Sequence, residues 1–350
     1  LSPAAPALED GTPANRFGSF GSAIEWTRAG ELYLCASDRG PGEGETHYRC
    51  RWHEVEIRVR PGAAVPVSFE LRRTVMLVDA SARPFVGWRG ALAPSADSAG
   101  RLDPEGLRLA PGGSVWISDE YGPSLLEFDR DGHLLRRIEP PDAFRVARPH
   151  EDPSEEAQLN ARGRMPNRGF EGLALTDDGA RLVCLAQSPL LQDGAAKGLV
   201  CRLLEVTLAD GGTRQRGVPL DFPRGSFNDL VAYATGRYLA LERDGESGDA
   251  RRARRVVALD FTGADDLSAR ERIATPEAAR CAEKSLVCDL LDARWGPDFA
   301  RLPDKIEALC FGPDLADGRR LLLVVSDNDL HADEATVVWA FAIDPARLAR

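Results

Sequence analysis

The chain has 350 residues, 43% hydrophobic and 28% charged, enough to bury a large core, and no apolar run of about 18 residues that would span a membrane as a helix. Its 55 acidic and 44 basic residues leave a formal charge of -11, which argues against a nucleic-acid partner, because a phosphate backbone calls for a positive footprint. The densest basic run, Arg251, Arg252, Arg254 and Arg255, reads as a solvated loop.

In chain order, residues 1–17 form an Ala/Pro-rich tail that reads as the start left after a targeting segment is removed or as an engineered boundary, and 18–350 read as one domain. A periplasmic or secreted location is therefore expected. Short strand signals follow: "ELYLCAS", "SVWISDE", "RLVCLAQ", "LVCRLLEV", "RYLALER", "RRVVALDF", "RLLLVVSD" and "TVVWAFAID", each rich in β-branched or aromatic residues and bounded by Gly, Asp or Pro. Helical periodicity is confined to about 154–162 and 276–293, so the fold class is all-β with small helical insertions.

These strands repeat a unit. Glu105 precedes a strand and Gly113 sits in the turn eight positions later; Glu171 and Gly179, Asn228 and Gly236, and Ser22 and Gly30 keep the same spacing, and Glu307 to Gly318 stretches it to eleven. Each turn leads into a second strand ending in polar residues: "SDRG", "SDEYG", "AQS", "ERDG" and "SDND". After Glu105, "LLEFDRDGHLLRRIEPP" adds a third and fourth strand across an Asp-Gly turn. A unit of ~40–50 residues built this way is a propeller blade. Five blades are counted, and the irregular segments leave room for a sixth or seventh.

In such a blade the residue before the first strand and the residues after the second emerge on one face. Glu105, Glu171, Asn228 and Glu307 should ring the channel mouth, with Asp38, Asp119, Glu120, Glu242, Asp244, Asp327, Asn328 and Asp329 just outside. Carboxylates packed that closely repel unless a cation sits among them or some are protonated. An all-oxygen set suits calcium, which takes about six to eight such ligands. The competing reading makes each acid a turn former or a partner for backbone amides.

Other chemistries find little support. There is no G-x-S-x-G elbow and no C-x-x-C, and the five histidines show no metal-ligand spacing; His150, in "RPHEDPSEEAQLN", alone lies near the predicted face. Of seven cysteines, Cys35/Cys50 and Cys184/Cys201 fall on successive strands and are candidates for cross-strand disulfides, with connectivity open.

The segments "DPEGLRLAPGGSVWISDEYGPSLLEFDRDGHLL", "NRGFEGLALTDDGARLVCLAQ", "FNDLVAYATGRYLALERDG" and "KIEALCFGPDLADGRRLLLVVSDND" together resemble the family known as esterase-like activity of phytase, and "SDRGPGEGETHYRCRWHEVEI" looks like its first block. The resemblance runs from about residue 18 to 345. It implies a bacterial, exported β-propeller hydrolase of phosphoesters or carboxyesters. Two departures stand out: "KIEAL" lacks the Gly that follows the Glu in the family, and "CLAQS" has no acid after its second strand.

The expectation is a monomeric calcium-binding hydrolase of a small anionic phosphoester. Glu105, Glu171 and Glu307 are the candidates for catalysis, and Arg39, Arg168, Arg243 and Lys305 for gripping phosphate oxygens. A lactonase-like metal propeller and a non-catalytic, calcium-stabilised binding module are the alternatives.

Overall fold

Short apolar runs separated by Gly and Asp turns pair with their neighbours in sequence, and this local rule generates the architecture of the computed structural model. It describes residues 19–92, 100–273, 275–295, 302–331 and 334–348; the 1–17 tail lies outside them. The first sheet is β1 (Ala23–Trp26), β2 (Leu32–Ala36), β3 (Arg51–Val59) and β4 (Val67–Met76). The second is β5 (Pro104–Leu109), β6 (Val115–Asp119), β7 (Ser124–Phe128) and β8 (Leu134–Ile138). β9 (Phe170–Leu175), β10 (Arg181–Ala186), β11 (Val200–Thr207) and β12 (Thr213–Pro219) form the third. β13 (Ser226–Ala234), β14 (Arg237–Arg243), β15 (Arg254–Asp260) and β16 (Glu283–Asp289) form the fourth, and β17 (Ile306–Phe311), β18 (Arg320–Ser326) and β19 (Val338–Ile343) the fifth.

All pairs are antiparallel, and β1, β5, β9, β13 and β17 each touch the next around a closed ring. The molecule is a five-bladed β-propeller; the room left for a sixth or seventh blade is taken by loops. The repeated turn glycines Gly30, Gly113, Gly179, Gly236 and Gly318 all have φ between 57° and 91°, a region an L side chain rarely adopts.

The core lies between blades. Alternation along a strand sends successive side chains to opposite faces, so on β2 Leu34 and Ala36 pack toward the second blade while Tyr33 and Cys35 pack toward the fifth. Five such apolar layers, one per interface, join the ring. At its seam the Ser19 N–H donates to Asn328 Oδ1 (2.6 Å) and Ser22 Oγ to Asp327 Oδ2 (2.8 Å), tying the first blade to the last.

Three expectations are corrected. The segment 276–293 holds a 3-10 turn at Pro276–Ala278 and then β16, because pairing with β15 outweighs its local helical spacing; the other helical segment does form, as α1 (Pro153–Leu159), capped by Asp152. The arginine run is no solvated loop: Arg251 and Arg254 are buried, and Arg254 Nη1 donates to Asp244 Oδ1 at 2.8 Å. All seven cysteines are free, since register sets Cys35 opposite His53 and Cys184 opposite Leu204.

Candidate functional site

Each inner strand from the second blade onward starts with an irregularity. Register shifts fall between Pro104 and Leu107, Phe170 and Leu173, Phe227 and Leu230, and Ile306 and Ala308, leaving one extra residue on the inner strand each time. A β-bulge bends its strand and re-aims a side chain. The residues it re-aims are Glu105, Glu171, Asn228 and Glu307. The glycine after the Glu has its own cause: a Cβ on Gly106 would stand 2.8 Å from Glu171 O, and one on Gly172 2.8 Å from the Asp229 carbonyl carbon. The next blade's backbone occupies that space.

The bulges and the loops after the second strands bring carboxylates together in linked groups. Oxygens of Asp38, Asp103 and Glu105 lie within 4.8 Å of one another, as do those of Asp38, Asp327 and Asp329, and those of Glu105, Glu120 and Glu171. Asp38 and Glu105 are each shared by two groups, so the acids form a continuous ladder across one mouth of the channel. Most of the ladder is buried. Burial first, and then neighbouring Asp103 and Asp329, push Asp38 up to about 7 against the pull of Arg39. Asp103 is likewise pushed up to about 7, chiefly by burial and by Glu120. Glu105, Glu171 and Asp327 are held well above the ordinary carboxylate range by burial and then by Glu171, Glu120 and Asp38 respectively.

Three ladder oxygens fit a cation more than a hydrogen-bond network. Glu120 Oε1, Glu171 Oε2 and Asp329 Oδ1 are buried with no hydrogen-bond partner among the described residues. An orphaned buried carboxylate oxygen is costly, and an all-oxygen donor set matches a hard divalent ion such as calcium.

The other named residues divide. Asn228 Nδ2 reaches Glu307 Oε1 at 3.5 Å beside the ladder. Asp119 instead accepts the N–H groups of Asp103, Tyr121 and Gly122, and Asp244 those of Glu246, Arg252 and Ala253; both organise their own turns. Glu242 is ion-paired with Lys284 (2.6 Å), and Asn328 is spent on Ser19, Leu330, His331 and Glu334. None of these four enters the ladder groups.

The cations divide as well. Arg39 is buried among Asp103 (2.7 Å), Glu120 (3.2 Å), Asn167 and Glu43, and Lys305 pairs with Asp329 (2.5 Å); both brace acids. Arg168 and Arg243 have no ion pair among the described residues. Their hydrogen bonds go to Gln187 Oε1 (2.7 Å) and Ser226 Oγ (3.2 Å). Gln187 links Arg168 to Glu171, and Ser226 and Asn228 link Arg243 to Glu307, so both guanidinium groups stand beside these acids; burial and then the Arg243 charge lower the Arg168 pKa. His150 lies to one side, in a cleft of about 200 Å³ whose lining includes Arg39 and Asn167.

Sequence reasoning missed Asp103 and Gln187. Asp103, two residues before Glu105 in "LDPEG", is outside the repeat and so carried no signal. By register Gln187 stands where the first, second and fifth blades place Asp38, Glu120 and Asp327, and the fourth places Arg243. Gln187 Nε2 donates to Glu171 Oε1 while its Oε1 accepts from Arg168, coupling an acid to a base without a charge of its own.

A closed ring of five blades whose inner-strand bulges deliver oxygens to one mouth defines a β-propeller with an oxygen-lined axial site. The chain belongs to the phytase-like family, described as esterase-like activity of phytase, whose pattern matches residues 15–330. An uncharacterized secreted protein of Arthroderma benhamiae is 39% identical over 109 residues, 27% of this chain and 21% of that protein. Among solved structures, a luciferin-regenerating enzyme (11% identity, 93% of each chain, TM-score 0.40) and a gluconolactonase of Xanthomonas campestris (13% identity, 92% of this chain and 85% of that one, TM-score 0.38) are similar. Likenesses that loose carry no argument about chemistry.

Proposed function

We propose that this propeller is an exported, calcium-dependent hydrolase of small phosphoesters. The observation that carries the reading is a linked carboxylate ladder next to Arg168 and Arg243, which are hydrogen-bonded to Gln187 and Ser226 and have no ion pair among the described residues. A ladder alone repels an anion and arginines alone would collapse onto the acids; together they suit an anion held between a cation and guanidinium groups.

Asp38, Asp103 and Glu105, Asp38, Asp327 and Asp329, and Glu105, Glu120 and Glu171 are the three groups that would each offer a divalent ion its oxygens. Calcium, when bound, supplies the positive charge that polarises a phosphoryl oxygen. Arg168 and Arg243 grip the remaining phosphate oxygens. Glu171, oriented by Gln187 and with Oε2 free of hydrogen bonds, takes the proton of the attacking water. Glu105 and Glu307 flank it, and Arg39 and Lys305 keep the acids in place.

The test is phosphate release from p-nitrophenyl phosphate and from phytate with and without millimolar calcium. Wild type should turn over only with the ion, Glu171→Gln should lose ~10²–10⁴-fold in kcat, and Arg168→Ala should raise KM. In parallel, calcium should raise the thermal midpoint of wild type more than that of Glu171→Gln, because a ligand of the native state stabilises it by mass action. Folded protein that releases no phosphate with any divalent ion would refute the reading, and lactone turnover in its place would transfer the site to the lactonase alternative.

A further inference from the structure

The larger cavity lies at the opposite mouth. There the far ends of all five inner strands enclose about 770 Å³, well within the range of small-molecule sites. A buried strut closes it off from the carboxylate ladder. Arg108 reaches from β5 across the channel, donating to Ile24 O (3.1 Å) on the first blade and to Leu230 O (2.7 Å) and Asp229 Oδ1 (2.9 Å) on the fourth.

Beside this strut the floor presents Glu25, 9% exposed. No side-chain donor among the described residues comes within hydrogen-bond distance of its carboxylate. Arg108 Nε is 3.9 Å from Glu25 Oε2 and is itself buried without a hydrogen-bond partner. Arg108 spends its direct ion pair on Asp229, which is fully buried and outside the cavity lining, and leaves Glu25 only the 3.9 Å approach of its Nε. Arg28, Arg320, Asp177 and Asp314 complete the charged lining. The walls include Trp26, Tyr233 and Phe311; Arg320 already covers Phe311 at 3.6 Å, while the other two rings are left for a ligand.

We propose that this lower mouth binds a small organic ammonium ion with an apolar body, its N–H donors on Glu25 and its body against Trp26 and Tyr233. A buried carboxylate short of donors is relieved by a cation that brings its own, and aromatic faces attract that cation as well as its hydrocarbon. Burial pushes Glu25 up to about 7, against Arg108, Arg28 and the Leu109 N–H, so the site gains most from a ligand that restores the charge. Because Arg108 closes the floor, this site stands or falls independently of the hydrolase reading.

The experiment is calorimetric titration of calcium-saturated protein at pH 8 with 2-phenylethylamine, 2-phenylethanol and phenylacetate. The amine should bind once per chain, and the alcohol at least ~10-fold more weakly, as expected when a charge-assisted contact is lost. Glu25→Gln should weaken the amine by a similar factor and Tyr233→Ala by a smaller one, while Glu171→Gln, at the other mouth, should leave it unchanged. Three results would overturn the proposal: no saturable amine binding, undiminished binding by folded Glu25→Gln, or phenylacetate binding more tightly than the amine. Should Glu25→Gln fail to fold, equal affinities for amine and alcohol in wild type would overturn it as well.

Discussion

Glu25 and Glu171 are both buried carboxylates, yet their surroundings differ in what they lack. Both are raised first by burial; Glu171 is then crowded by Glu120 and Glu307, whereas Glu25 is short of donors. With a folded pKa of about 7 against an ordinary 4.5, folded Glu25 holds its proton more tightly than the unfolded chain does. Its contribution to stability is full below about pH 4.5 and is lost as pH rises through 7. Glu25→Gln, which mimics the neutral form, should match wild type near pH 4 and become the more stable protein by roughly 3 kcal/mol at pH 8. Urea denaturation of both proteins across that range checks this, and a gap that does not widen with pH would refute it. The fate of the single acids explains what was legible at this scale. Glu105, Glu171 and Glu307 stand out because Glu is a poor turn former that recurs at one blade position. Asp119 and Asp244 looked the same in sequence, yet they cap turns, as short carboxylates next to backbone amides do.

At the scale of the strand, the bulge and the glycine that follows the Glu form one device: the bulge turns the Glu toward the channel mouth, and the missing Cβ admits the next blade. Gly172→Ala should therefore cost roughly 2–3 kcal/mol, because backbone of Asp229 and Leu230 must move to admit the methyl. Gly112→Ala, in a turn with nothing within 4 Å, should be neutral or slightly stabilising. The two midpoints in urea make the comparison, and equal costs would remove the packing explanation. The fourth blade places Asp229 where the second and third have Gly, and uses the side chain to hold Arg108 and the Leu309 N–H. The repeat itself was readable because its spacing is local. The bulges were not, since one extra residue on one strand is defined only against its partner. Nor was the strand at Glu283–Asp289, where pairing with the neighbouring strand decides.

At the scale of the ring, Arg108 of the second blade joins the neighbouring first blade to the fourth, which is adjacent to neither. It reaches both directly, and Asp229 carries the link to the fifth through Leu309. Arg108→Met leaves Asp229 buried without its counter-charge and should cost ~3–5 kcal/mol. Adding Asp229→Asn should recover part of that loss, so a double-mutant cycle with strictly additive costs would show the strut to be energetically inert. The blade count was open in sequence because insertions such as 139–168 and 261–282 are long enough to conceal strands. The structure uses them as loops and short helical turns.

The Asp38, Asp327 and Asp329 group lies across the seam where the first blade meets the last. Among the described residues every blade is made from consecutive strands, and none of the first blade's strands pairs into the sheet of the last. A divalent ion at this group would be a clasp: it would fasten the first blade to the last and close the stretch of chain between Asp38 and Asp327 into one loop. That is the service a disulfide gives many exported proteins, and here, with seven free cysteines, an exchangeable ion could provide it, making the ring's closure responsive to the calcium around it.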